Sequence, residues 1–538
     1  MKSTINIYNT TENTNASIRY FQKYYVVIIF FIAFIIRFMH LNCYIANPAF
    51  DFPLGGYAAY VKTALIILEG DILGGDHIFY DNSPIYSYIL ATLFKLFGID
   101  FYVVRFIQIL LGSLNCCLIA FLARHFFGII PSFIAGVIAS FFGPLIFYDA
   151  EIIVLSWVIC FCLIALIILV TSKIENQGKI FIAGIFIGFA IMGRPNLILF
   201  PVLMIFFFIF HNTRSNLSTR VKTYSLLWMG ILVIMSPFII RNYAVSGEII
   251  FLNPSGGHNF YLAHHPDATP YFSEQYRYKG AIYLKYKEIA ENEMQRPLSS
   301  KETSAFWYKK GLRFIFANPL MELKLIWEKA KFFFNDLEMP TYFNYYFSKN
   351  YSFILKYGVI SFGFIFPLSV LGFISTIHRH KKLLPLYLFF GTTFLSVLII
   401  FVISRLRIPA IPVLIIFAGY GVFVVIKWLQ LRAYKPLSLA VAIGASLYIA
   451  TFVPLAKIGY AGNYNHTGVI QWQKGNISEA EGCFLKALEL QGNYEYALLN
   501  LIRMYELRGD SEKEAAYRQQ YKTWQEKYKR MPIRDNDS

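Results

Sequence analysis

Nine apolar runs of membrane-crossing length constrain this chain more than any other feature. They fall at roughly 24–41, 102–121, 129–147, 152–171, 224–240, 353–375, 383–403, 408–426 and 437–455. Each holds about 17 to 23 residues of mostly Ile, Leu, Phe, Val and Ala, the length a helix needs to cross the ~30 Å hydrocarbon layer. Between 180 and 210 a further apolar tract is too long for one crossing and is interrupted by Arg194-Pro195-Asn196. Its flanks are both basic, with Lys173 and Lys179 before it and Arg214, Arg220 and Lys222 after it. Two like flanks require an even number of crossings between them, so the tract is expected to form a hairpin with Arg194 near its far tip. With 57% hydrophobic and only 15% charged residues, the composition excludes an ordinary soluble domain. The expected fold class is an all-α polytopic membrane protein with about eleven crossings.

The formal charge of +17 could suggest a nucleic-acid partner. The basic residues, however, cluster between the apolar runs, where they orient membrane helices, so no nucleic acid is expected. Lys2, Arg19, Lys23, Arg124, the 173–179 and 211–222 loops, His378-Arg379-His380-Lys381-Lys382, Lys427, Arg432 and Lys435 fall on one side if crossings alternate. That side is the cytoplasm, and it includes the N-terminal tail 1–23, whose following apolar run lacks a small-residue cleavage site and reads as a retained anchor. Of six cysteines, Cys116, Cys117, Cys160 and Cys162 lie inside apolar runs as small buried hydrophobes. Nothing in the spacing pairs Cys43 with Cys483.

The remaining segments divide the chain. Residues 24–241 form a first membrane core with an external loop at 42–101, and 242–352 is too long and polar for a connector and is expected to fold as an external cap. Residues 353–455 supply the last crossings. Residues 456–538 turn polar and charged, with Gly468, Gly475, Ala480, Phe484 and Ala487 at tetratricopeptide spacing and Gly509 one 34-residue period after Gly475. This reads as a small external helical module that packs on the cap or docks a protein partner.

The first external loop holds one acid, Asp51, between Phe50 and Phe52-Pro53 just past a membrane exit, then Tyr57, Tyr60, a Gly-rich stretch and Ser83-Pro84-Ile85-Tyr86. The apolar 14-mer from Ile85 to Gly98 is too short to span and suits a helix lying in the interface. The cap opens with Arg241-Asn242-Tyr243, then Gly256-Gly257-His258-Asn259-Phe260-Tyr261 and His264-His265-Pro266, and Ser404-Arg405-Leu406-Arg407-Ile408-Pro409 lies near the penultimate crossings. In this order, these stretches resemble the GT-C class of membrane glycosyltransferases, in the branch of the protein O-mannosyltransferases and the lipid A aminoarabinose transferase. That branch carries an acid after the first helix, Pro-Pro-Leu-Tyr, Arg-Asn followed by Gly-Gly-x-Asn-Phe-Tyr, and Arg-Tyr-Arg-x-Pro. Ser83, His264-His265 and Leu406 stand where its first Pro, its Asn pair and its Tyr occur. The resemblance covers roughly residues 20–455.

It implies a GT-C fold and an inverting transfer of a monosaccharide from a polyprenyl phosphate donor to a lipid, glycan or protein acceptor outside the cytoplasm, in a bacterial inner membrane. Asp51 is then the candidate general base, since the acceptor hydroxyl must lose a proton as it attacks the anomeric carbon; the competing account is an interfacial helix cap. Asp149 and Glu151 stand where that class has its second external acid, to orient the acceptor or share a divalent Mg or Mn ion with Asp51. Alternatively they are loop acids at a helix N-terminus. Arg194, Arg241, Arg405 and Arg407 lie at outer ends of crossings, against the positive-inside bias, where a lipid phosphate suits their planar fork; the alternative is snorkelling to headgroups. Tyr57, Tyr60, Pro84, Tyr86, Asn259, Phe260, Tyr261 and His264 are the candidate substrate pocket, against an interfacial aromatic belt. His258, His264 and His265 have no acid or Cys at ligand spacing, so they read as pocket histidines, and no metal ligand set is assigned. Two other functions compete. A flippase or exporter of lipid-linked saccharide should show ionisable residues near mid-bilayer or repeated helices, of which few and none are found. A non-catalytic assembly protein would act through the C-terminal module.

Overall fold

The computed structural model describes residues 16–52, 56–75, 83–172, 176–210, 216–272, 282–341 and 344–529. The first fifteen residues of the expected tail, Pro53, Lys173, Arg214 and the last nine residues of the chain lie outside them. Among the described residues the only extended pairings are isolated bridges, Phe142 to Ile360 and Tyr271 to Val402, and the protein is an all-α membrane protein.

Helix α1 (Ala16–Tyr44) leads into a long connection to α4, which carries α2 (Gly56–Leu68) and α3 (Pro84–Phe97). The core continues with α4 (Phe101–Phe127), α5 (Ile129–Phe141), α6 (Gly143–Asp149), α7 (Leu155–Thr171), α8 (Gln177–Gly193), α9 (Leu199–Phe210) and α10 (Leu217–Ser246). The cap holds α11 (Gly256–Ala263), α12 (Ile282–Met294), α13 (Ser300–Ala317) and α14 (Pro319–Phe333), followed by the short α15 (Tyr345–Ser348) and α16 (Phe353–Tyr357). Then come α17 (Phe362–Thr376), α18 (His380–Ile399), α19 (Ser404–Arg407), α20 (Ile411–Gln430) and α21 (Tyr434–Thr451), and the C-terminal α22 (Ala461–Gln473), α23 (Ile477–Leu490), α24 (Glu495–Arg508) and α25 (Ser511–Lys529).

Five helical stretches among the described residues are long and apolar enough to cross a membrane: Gln22–Tyr44, Phe101–Phe127, Leu217–Ser246, Phe362–Ile399 and Ser404–Gln430. Other expected crossings are shorter helices, and the sequence shows why. The 129–147 run breaks at Phe142 because Pro144 lacks an N–H and sits in the first turn of a new helix; the freed Gly143 N–H donates to the Ile360 carbonyl at 3.0 Å. The 180–210 tract breaks at Arg194, which is extended because Pro195 follows it. The stretch from Phe362 to Ile399 turns back on itself at its basic centre. Phe373 and Tyr387 would be roughly 21 Å apart on a straight helix, yet their ring centroids are 5.1 Å apart.

Packing between α8 and α10 depends on small residues. A Cβ at Gly184 would lie 2.1 Å from the Leu227 carbonyl oxygen, and one at Gly230 would lie 2.2 Å from that of Phe181. Only glycine allows this approach, which membrane helices use in place of a hydrophobic driving force. Helix α3 has one buried face, with Tyr86, Leu90 and Phe94, while Leu96 and Phe97 are exposed at its end, as suits an interfacial helix.

The C-terminal helices form two hairpins. Gly475 and Gly509 occupy the turn of each, both in the left-handed region at φ 82° and 71°. The module docks through Tyr460 and Tyr464, whose rings pack on Phe347, and Lys474 Nζ stands 5.0 Å from the Phe52 ring centre, next to Asp51.

Candidate active site

The segment from Asp149 to Val154, between α6 and α7, is fixed from two sides by polar faces of α1 and α4. Arg105, Gln108 and Asn115 share one face of α4 by their spacing. Arg105 Nε donates to the Ala150 carbonyl at 2.8 Å, Gln108 Nε2 to those of Asp149 at 3.2 Å and Glu151 at 2.6 Å, and Asn115 Nδ2 to that of Ser156 at 2.9 Å. Arg37 and Tyr44, seven residues apart on α1, reach the side chains. Arg37 Nε pairs with Asp149 Oδ2 at 2.7 Å, and the Tyr44 hydroxyl donates to Glu151 Oε1 at 2.6 Å. The segment's polar backbone is thereby satisfied without secondary structure, as its burial requires.

The two acids differ in their surroundings. The Asp149 carboxylate is occupied by Arg37 and by the Ser156 hydroxyl. Glu151 is buried and its Oε2 has no hydrogen-bond partner. Burial therefore pushes the Glu151 carboxyl up to about 8, against the Tyr44 hydrogen bond and the nearby Arg105, which pull it down. Asp51 is exposed on the loop beyond α1, within electrostatic reach of Arg105. That arginine also stacks over the Phe50 ring at 4.1 Å, which holds the base of the Asp51 loop against α4.

Helices α2 and α3 bring the tyrosines to the same end. Tyr60 and Tyr86 meet edge to face with centroids 5.1 Å apart, and the Tyr86 hydroxyl donates to Gln108 Oε1 at 2.5 Å. Pro84 is buried in the first turn of α3, and the Ser83 hydroxyl donates to the Met192 carbonyl, tying the loop to the end of α8. Two residues on is Arg194. It is 8% exposed, its Nε and Nη2 have no hydrogen-bond partner, and within electrostatic reach lie Arg405, Tyr57, Tyr60 and Tyr148. A buried guanidinium beside a second one and without a carboxylate is costly unless an anion joins them.

Asp51, Glu151, Arg194, Arg405, Tyr57, Tyr60 and Tyr86 thus gather through shared electrostatic neighbours at one end of the bundle. The other expected residues have different surroundings. Arg407 points roughly 200° around α19 from Arg405 and pairs with Glu338 at 2.5 Å, also donating to the Phe333 and Asn335 carbonyls. Arg241 Nε donates to the Leu73 carbonyl at 2.8 Å, clamping the segment that follows α2 to α10. Phe260 packs on His264 and Tyr308, and Tyr261 on Trp307. With Asn259 they belong to α11, which packs on α13 inside the cap. His264 bridges Glu322 at 2.9 Å and the Ile399 carbonyl at 2.8 Å. Burial lowers His258 to about 3, so it is neutral at pH 7.

Among the described residues no three His, Cys, Asp or Glu side chains converge on a metal-sized site. Asp149 is held by Arg37 and Glu151 Oε1 by Tyr44, while Glu151 Oε2 has no hydrogen-bond partner. The residues that build this site and escaped sequence reasoning are Arg37, Tyr44, Arg105, Gln108 and Tyr148. The first, third and fourth carried a signal. They are strongly polar groups inside apolar runs, and such residues mark bundle interiors.

Residues 81–240 match the family of dolichyl-phosphate-mannose-protein mannosyltransferases, the GT-C resemblance that the motifs carried. No curated protein matches the chain. Among solved structures, the chain is similar to the archaeal oligosaccharyltransferase AglB of Archaeoglobus fulgidus, in complex with an inhibitory peptide and a dolichol-phosphate, at 16% identity and a TM-score of 0.47. The alignment covers 88% of this chain and 60% of that one, so this chain spans under two thirds of its length. It is also similar to ArnT from Cupriavidus metallidurans bound to undecaprenyl phosphate, at 13% identity and a TM-score of 0.41 over 89% of this chain and 80% of that one.

Proposed function

Starting from the mannosyltransferase-family match over residues 81–240, we propose that this chain is a membrane glycosyltransferase that moves a monosaccharide from a polyprenyl phosphate donor to a lipid, glycan or protein acceptor. The observation that carries the reading is the buried Arg194 guanidinium, whose Nε and Nη2 have no hydrogen-bond partner, beside Arg405. This is a receptor for a phosphate at the end of the bundle that also holds Asp51. The planar forks of arginine match phosphate oxygens and stay charged on burial.

The step follows from these groups. The acceptor hydroxyl oxygen attacks the anomeric carbon while the bond from that carbon to the phosphate oxygen breaks. Asp51 takes the hydroxyl proton, and the phosphate leaves with the bonding pair, held by Arg194 and Arg405. A single displacement by one base inverts the anomeric centre. Tyr57, Tyr60 and Tyr148 border the phosphate, and Glu151, fixed by Tyr44, orients the acceptor. On the same reading the N-terminus is cytoplasmic in a bacterial inner membrane, the loop, cap and C-terminal module face the periplasm, and that module is tetratricopeptide-like and docks a protein. No step is routed through a metal.

The test is transfer of radiolabelled sugar from short-chain polyprenyl phosphate donors by purified protein in the presence of a membrane-lipid acceptor extract, with and without EDTA. Wild type transfers, Asp51→Asn binds donor without transferring, and Arg194→Gln loses donor binding. Full activity of Asp51→Asn at normal expression removes the base assignment. Donor binding that never leads to transfer, in wild type and mutant alike, favours the flippase reading.

A further inference from the structure

Helix α4 leads from the candidate active site to a cavity with a basic rim at the other end of the bundle. From Arg105 to His125 the helix rises roughly 30 Å, and at its far end a cavity of about 920 Å³ opens between the C-terminal ends of α4 and α7 and the turn joining α17 to α18. His125 lines it from α4, and the five consecutive basic residues His378 to Lys382 line it from the turn. Val170 and Leu383 supply an apolar wall, and no carboxylate is among the described residues that line it.

Orientation by charge does not require this arrangement. The positive-inside bias needs Lys and Arg on the cytoplasmic side, and it is met equally well on a flat loop. Here two chain segments bring Arg379, Lys381, Lys382 and three histidines into one concavity, with Lys382 within electrostatic reach of His125 and Arg379 Nε donating to His378 Nε2 at 3.3 Å. The cations Arg379, Lys381 and Lys382, converging on an apolar-walled cleft, repel one another, and a bound anion converts that repulsion into attraction. The surrounding surface narrows the choice of anion. Phe373, Ile374 and Ile377 before the turn and Ile130 at the start of α5 are all exposed, so the mouth adjoins surface suited to acyl chains.

We propose that this cleft binds the phosphate headgroup of an anionic phospholipid at the end of the bundle opposite Asp51. Arg379 and Lys382 hold the phosphate, and the acyl chains lie along Ile374 and Ile377. Basic pockets between membrane helices on this side recognise such headgroups by the same chemistry.

The test uses full-length protein reconstituted in phosphatidylcholine nanodiscs with increasing phosphatidylglycerol or cardiolipin, and reads the anionic lipid retained by native mass spectrometry. The variants are Arg379→Gln/Lys382→Gln and a charge-matched control, Lys427→Gln/Lys435→Gln, on the same predicted face outside the cavity. Wild type and control retain anionic lipid alike, and the cavity variant binds about tenfold or more weakly. Equal weakening in both variants means diffuse surface attraction and overturns the proposal, as does wild type retaining no anionic lipid. Displacement of the lipid by millimolar inorganic phosphate assigns the cleft to a soluble phosphate ligand and overturns the lipid assignment.

Discussion

Arg194 and Arg407 were alike in the sequence, yet they stand in opposite electrostatic situations. Arg407 has a buried carboxylate partner and backbone acceptors, so it is already neutralised. Arg407→Ala leaves Glu338 buried and unpaired, and should cost about 3–5 kcal/mol of stability, read as lost thermal resistance in detergent; Arg407→Met with Glu338→Leu should recover much of it. Arg194 lacks such a partner. Arg194→Gln should raise the KM for the lipid donor about tenfold or more with little change in stability, and Arg194→Lys should not restore it, because a point charge cannot replace the fork. Glu151 adds a pH dependence whose sign follows from burial. Its folded-state pKa, about 8, lies above the ordinary 4.5, so between these values the folded protein binds more protons than the unfolded one. Stability from this group is full below pH 4.5 and is lost as pH rises toward 8. Thermal unfolding across pH 5 to 8 should show that decline, and Glu151→Gln should flatten it; an unchanged slope in the variant would exclude Glu151 as its source.

At the scale of elements, breaks in helices place the chemistry. Pro144 divides α5 from α6, whose last residue is Asp149, while Pro195 ends α8 so that Arg194 is extended rather than helical. Both breaks are legible, since proline excludes the helical state from its neighbourhood. The contact of α8 with α10 then sets where Arg194 stands. Gly184→Leu would force a side chain against the Leu227 carbonyl, and separating the helices should cost about 1–3 kcal/mol. It should also raise the donor KM, because the end of α8 moves with the helix. A Gly184→Leu protein with wild-type stability and donor KM would show that the contact does not position Arg194.

For the whole molecule, the C-terminal hairpins matter because they reach back to the loop after α1, Lys474 standing over Phe52 beside Asp51. A cation over an exposed ring contributes about 0.5–1 kcal/mol, so Lys474→Ala should raise the acceptor KM by about two- to fivefold and leave the donor KM unchanged; a shift in the donor KM instead would place the module on the wrong substrate. The sequence by itself determined the all-α membrane class, the basic turn that folds α17 back on α18, the shortness of α3, the 34-residue spacing of Gly475 and Gly509, and the gathering of Asp51, Glu151, Arg194 and Arg405 at one end. These are local or one-dimensional properties: apolar length, charge bias along the chain and proline or glycine geometry. Which arginine is left without a carboxylate, that Asp149 is held by Arg37, and that Arg105 and Gln108 support the backbone beneath Glu151 were decided only by tertiary structure. A side chain's partner depends on the rotation of its helix and on elements distant in sequence, such as Glu338 for Arg407, and no periodicity along the chain records that pairing.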